Sequence, residues 1–145
     1  MGSTGTNLQK LRQRVSQMSK NENESGTVKN PLIQDKSKSN EILEVLHERE
    51  RKGNLPEREI KQVYLDRVYT TQPYLYENKL NDYIDKPIHE FAEGYLYNGD
   101  VLITDGNHRI ALAKLNNQTL ARMSVIDLNK KPDNIIKKIF KRKKK

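Results

Sequence analysis

The chain has no cysteine and no tryptophan, and only two phenylalanines among its 145 residues. Without thiols, disulfides, thiolate metal sites and cysteine nucleophiles are all excluded, and an intracellular setting is permitted. Long apolar runs are missing as well. None approaches the roughly 18 residues of a membrane span, and the N-terminus lacks the apolar core of a signal peptide. The expectation is a soluble protein, cytoplasmic or inside a virion, that is not secreted through a signal peptide. With 34% hydrophobic residues and a mean hydropathy of -0.94, the length suits one domain that does not use the whole chain.

Charge is plentiful but unevenly placed. The net charge is +8. Seven basic residues (Lys137, Lys138, Lys141, Arg142, Lys143, Lys144 and Lys145) crowd the C-terminus, and Lys10, Arg12, Arg14 and Lys20 fall within the first twenty residues. Neither end has an acid, so residues 21–136 carry a net charge of -3. Sequence-independent attraction to phosphate backbones would therefore reside in the ends and would weaken steeply with salt. The basic C-terminus reads equally as a nucleic-acid arm or as a solvated tail that aids solubility.

The pattern along the chain divides it into five parts. Leu8, Leu11, Val15 and Met18 recur at helical spacing, which predicts an amphipathic arm over residues 1–20. Such an arm needs its own domain, a partner protein or a membrane surface to lie against. A partner protein for residues 1–20 is the expectation taken here. Residues 21–39 are polar and read as a linker. A helix over 40–53 follows, capped by Ser39 or Asn40 and stopped by Gly53. Residues 58–130 then alternate β and α: a strand over "IKQVYLDRVY", a turn at "QPYL", a helix over "YENKLNDYID" and a strand at "PIHEF". After them, "YLYNGDVLIT" predicts a hairpin turning at Asn98-Gly99, then come a helix and a last strand, "LARMSVIDL". The fold class is α+β, a small mixed sheet with packed helices. The final part, 131–145, reads as a basic helix or tail starting at Pro132.

Chemistry concentrates in "VLITDGNHRIALAKL", residues 101–115. Gly106 permits a sharp turn into a helix whose first N–H groups and positive dipole end suit an anion. Asn107 adds an amide, His108 a donor that becomes cationic near neutrality, and Arg109 a planar fork suited to phosphate. The phosphate-binding set is therefore Gly106, Asn107, His108 and Arg109, with Asp105 as the helix cap. His47, His89 and His108 show no metal-ligand spacing, so no metal site is expected from protein ligands. The seven tyrosines between Tyr64 and Tyr97 suit half-buried strands better than a base-stacking surface.

The segment from about Ile60 to Leu128 resembles the ParB/sulfiredoxin fold family in its ordered strings "IKQVYLDRVYTTQP", "KPIHEF", "YLYNGDVLITDG" and "GNHRIALAKL". In that family a Gly-x-His-Arg or Gly-Glu-Arg-Arg turn at a helix start grips nucleotide phosphates, and Gly106 to Arg109 match it by position. The resemblance implies nucleotide binding or hydrolysis, as in the chromosome-partition proteins. Other members imply sulfinic-acid reduction, serine phosphorylation or nuclease activity. Asn107 stands where sulfiredoxin has its reactive cysteine, which removes that reaction. Tyr74 follows Gln72-Pro73 where the partition proteins often have arginine, and no helix-turn-helix reader follows.

The expected function is a phosphate-binding module for a nucleotide or a nucleic-acid backbone, in a phage or other mobile element. A nucleoside triphosphate with Mg²⁺ is the cofactor such a site would take. The alternatives are a structural or virion-assembly protein that retains the fold, and a nucleotide-dependent phosphotransferase or nuclease. For transfer chemistry a base is needed, and Glu59, Asp66 and His108 are the candidates.

Overall fold

A computed structural model gives the structure of the protein and describes residues 3–131. The expected C-terminal helix and the basic residues from Lys137 to Lys145 lie outside the described residues. The order of elements is α1 (Ser3–Ser16), β1 (Thr27–Lys29), α2 (Lys36–Arg51), β2 (Arg58–Tyr64), β3 (Val68–Tyr69) and β4 (Tyr74–Tyr76). It continues through α3 (Glu77–Asp85), β5 (Ala92–Tyr97), β6 (Asp100–Asp105), α4 (Asn107–Leu115) and β7 (Leu120–Asp127). The class is α+β, as the sequence indicates.

The main sheet has five strands in the order β2-β7-β5-β6-β3. It is mixed: β5 runs parallel to β7 and β3 parallel to β6, whereas β2 pairs antiparallel with β7 and β5 with β6. Asn98 and Gly99, both with positive φ (52° and 82°), turn the β5–β6 hairpin as their side chains favour. The apolar run of β6 is explained by burial on both faces. Val101 and Ile103 meet Ile110 of α4 on one face, while Leu102 meets Ile42 and Leu46 of α2 on the other. Covering a sheet on both faces lets alternate residues of one strand enter two separate cores.

A third core explains the N-terminus. Val15 of α1, Leu80 and Ile84 of α3, and Ala111 and Leu112 of α4 pack together with Val28 and Leu75 of the small β1–β4 sheet. Arg14 donates to the Leu115 carbonyl at 2.7 Å, satisfying an orphan acceptor at the end of α4. Arg12 pairs with Asp85. Much of the apolar face of the arm thus packs on its own domain through Leu11, Val15 and Met18, while Leu8 stays 38% exposed.

Several boundaries differ from the sequence reading, each for a local reason. Residues 21–39, expected as a linker, contain β1 and the buried side chains of Thr27, Val28, Asn30 and Leu32. Their polar composition hides long-range partners. Helix α2 starts four residues early because Asp35, rather than Ser39 or Asn40, caps it by accepting from the Lys38 N–H at 3.1 Å. The strand expected over 60–69 is broken by a 3₁₀ turn at Leu65–Arg67. The expected turn at "QPYL" instead supplies β4, and the strand expected at "PIHEF" begins only at Ala92.

One polar cluster ties these layers together. The Asn30 side chain donates to the Gln72 carbonyl at 2.9 Å and to Asn107 Oδ1 at 3.1 Å, while its own oxygen accepts from the Leu32 N–H at 3.0 Å. Thr70 donates to the same Asn107 oxygen at 2.6 Å. All three side chains are buried. Replacing Asn30 by Ala leaves the Leu32 donor and the Gln72 acceptor without partners, so Asn30→Ala should lower unfolding stability in urea by about 1–3 kcal/mol.

Candidate anion site at the Gly106 turn

Gly106 sits between the end of β6 and the start of α4 with φ +92°. A Cβ there would lie 2.6 Å from the Cβ of Ala92, the first residue of β5, and 2.9 Å from Arg109 Nη2. Backbone conformation and crowding both demand glycine. As the cap of α4 it offers no side chain, and Asp105, expected as the cap, does not cap the helix. Its carboxylate is instead exposed and 3.6 Å from Arg109.

The first hydrogen bond of α4 runs from the Ile110 N–H to the Gly106 carbonyl at 3.1 Å. Among the described residues, the N–H groups of Asn107, His108 and Arg109 have no acceptor. The same three residues line a cavity of about 220 Å³ whose charged lining is Lys79 of α3, Arg109 and Asp105. Two cations therefore face one carboxylate. Lys79 Nζ lies 5.4 Å from the centroid of the Tyr76 ring, within cation–π range. A larger groove of about 690 Å³, between the end of α1 and residues 29–34, also holds two cations, Arg14 and Lys29. The smaller cavity differs in adjoining a helix start whose N–H groups lack acceptors, with two cations in its lining, an arrangement suited to an anion.

The four motif residues do not act as the sequence suggests. Asn107 turns its side chain into the Asn30–Thr70 cluster, so only its N–H is offered to the cavity. His108 is buried, with Nε2 accepting from the Tyr76 N–H at 3.0 Å. It stacks near-parallel with Tyr76, at 6.3 Å between centroids, and meets the Tyr83 ring edge-on at 6.1 Å. Burial, helped by the positive charge of Lys79, lowers its pKa from 6.5 to about 4. His108 is therefore neutral at physiological pH, and its accepting Nε2 places the ring proton on Nδ1. This corrects the expectation of a donor that turns cationic near neutrality. Arg109 keeps the role of a cation, but one arm of its fork donates to the Glu90 carbonyl.

The candidate bases are not brought to the turn. Glu59 lies on β2, with β7 and β5 between it and β6, and forms ion pairs with Lys61 and Lys130. Asp66 sits in the turn before β3, which pairs with β6 at Val101, whereas Gly106 follows the other end of that strand. Among the described residues no group of three or more His, Asp or Glu could hold a metal ion. Sequence reasoning missed Lys79. Its only signal was its place on α3, three residues beyond Tyr76 and four before Tyr83, both of which border the cavity.

Comparison of the chain with family models, with curated proteins and with solved structures gives no match.

The His108 environment fixes a sign for pH dependence. Between about pH 6.5 and 4 the unfolded chain takes up a proton on this residue and the folded chain does not. Its contribution to stability is complete above the unfolded pKa and is lost as pH falls through that window. Urea midpoints of the parent should fall over this range more steeply than those of His108→Gln, and the His108 ring signals in NMR should titrate near pH 4.

Proposed function

We propose that the protein is a phosphate-binding module that holds an oxyanion of a nucleotide or of a nucleic-acid backbone at the Gly106 turn. The observation that carries the reading is the convergence of three unsatisfied helix N–H groups with Lys79 and Arg109 around one cavity. Backbone donors fixed by a glycine turn suit the many acceptor oxygens of phosphate, and the two side chains offset its charge. The choice of phosphate over another oxyanion rests on the resemblance of residues 60–128 to the ParB/sulfiredoxin fold family. A nucleoside triphosphate with Mg²⁺ is accordingly the ligand to try first.

The geometry favours binding over transfer. A general base needs a pKa near the working pH and reach to the attacking group. His108 is neutral with Nε2 occupied, Glu59 and Asp66 stand elsewhere in the fold, and Asp105 is paired with Arg109. The phosphotransferase and nuclease readings therefore gain no support from this arrangement.

Calorimetric titration of ATP and CTP with Mg²⁺ tests the proposal. The parent should bind saturably, and Lys79→Ala should weaken binding about tenfold, the effect of losing one charge-assisted hydrogen bond of about 1.4 kcal/mol. Lys79 is the cleaner probe because Arg109 also anchors the Glu90 carbonyl. If the ligand is a nucleic-acid backbone, a short oligonucleotide binds instead, and removal of residues 137–145 lowers its affinity and flattens its salt dependence. No saturable binding of either ligand by the parent would overturn the reading.

A further inference from the structure

The main sheet ends in β2, an edge strand. Strand β2 pairs with β7 along one edge, and among the described residues no element pairs with its other edge. Among the described residues the outward face of this β2–β7 ribbon is also partly exposed. Helix α2 covers Tyr95, Tyr97, Leu102 and Ile126 but leaves Ile60, Tyr64 and Leu120 at 47%, 56% and 36% exposure. A seven-residue edge with apolar side chains beside it is a template for another strand.

We propose that the occupant is a second copy of this chain, paired antiparallel through β2 with Ile60 on the two-fold axis. Register and charge select this pairing. In a two-fold pairing that extends the sheet, opposite residues lie on the same face, so residue numbers across the seam sum to an even value. Centred on Ile60, the seam sets Glu59 against Lys61 of the other copy, twice, and Ile60 against its own equivalent. Arg58 then lies opposite Gln62, and the exposed Tyr64 ring opposite Pro56, which itself ends further pairing.

The neighbouring registers lack this match. Centring on Lys61 opposes two lysines, and centring on Glu59 opposes two glutamates, both unfavourable in a cross-strand pair. Glu59 and Lys61 are available for the seam, at 30% and 35% side-chain exposure. Within the chain they already pair with each other at 3.7 Å, and further with Lys130 for Glu59 and with Asp127 at 2.8 Å for Lys61. The seam therefore extends an existing row of alternating charge. With one short strand per partner it lies at the small end of interface sizes, so the dimer is weak and concentration-dependent.

Sedimentation equilibrium of the full chain over a range extending to sub-millimolar concentration tests this. The parent should show a reversible monomer–dimer equilibrium. Ile60→Lys, at an exposed position, and Glu59→Lys should each weaken association at least about tenfold, one opposing two lysines on the axis and the other setting lysine against Lys61. The exchanged pair Glu59→Lys with Lys61→Glu restores opposite charges and should recover association relative to Glu59→Lys alone. Ile88→Lys, exposed in the loop before β5, should leave it unchanged, and circular dichroism confirms that each variant is folded. A parent that stays monomeric throughout would overturn the proposal, as would a dimer indifferent to Ile60→Lys and Glu59→Lys or equally weakened by Ile88→Lys.

Discussion

The amide oxygen of Asn107 accepts two hydrogen bonds below the start of α4, from Asn30 at 3.1 Å and from Thr70 at 2.6 Å. Asn30 precedes α2 in the N-terminal third of the chain, Thr70 follows β3, and Asn107 opens α4. Three segments far apart in sequence are thereby fixed around one buried acceptor, where any unpaired donor would cost the full desolvation of that group. The same cluster holds the loop that leads into β4. At the end of β4 the Tyr76 N–H reaches His108, the residue next to Asn107. Both side chains that follow Gly106 are therefore spent on positioning the turn.

That division of labour decides what the turn can do. With the Asn107 amide and the His108 ring committed, what the turn offers to the cavity is limited to backbone N–H groups and the cations Lys79 and Arg109. Fixed N–H donors require no rearrangement to meet an anion, and Ala92 packed against Gly106 leaves that glycine little room to shift. His108 lost its charge for the same reason that it holds its place: a ring enclosed by Tyr76 and Tyr83 and accepting a backbone N–H is poorly solvated as a cation. Positional rigidity and titration near neutrality are alternatives here.

Local chemistry was legible in the sequence, and long-range satisfaction was not. The Asn98-Gly99 hairpin, the apolar run of β6 and the glycine start of α4 follow from conformational preference and side-chain period, which act within a few residues. Residues 21–39 read as a linker because the whole stretch is polar, and Asn107, the partner that buries its Asn30, is 77 positions away. His108 read as a switchable donor for the same reason, since the group that fixes it, Tyr76, lies 32 positions earlier. Lys79 carried no motif at all; only the packing of α3 on α4 brings it to the cavity. Helix α1 shows the converse, an amphipathic pattern legible as a helix, for which a partner protein was expected and against which α3 and α4 of its own domain pack.

The most direct test of the account is an amide NMR titration of the parent with inorganic phosphate at neutral pH, with Lys79→Ala as the comparison. The account requires saturable shifts at the Asn107, His108 and Arg109 N–H signals, weakened in Lys79→Ala, while the His108 ring stays neutral throughout. Shifts confined to other surfaces, or none at these three amides, would contradict the claim that the Gly106 turn is built to hold an oxyanion.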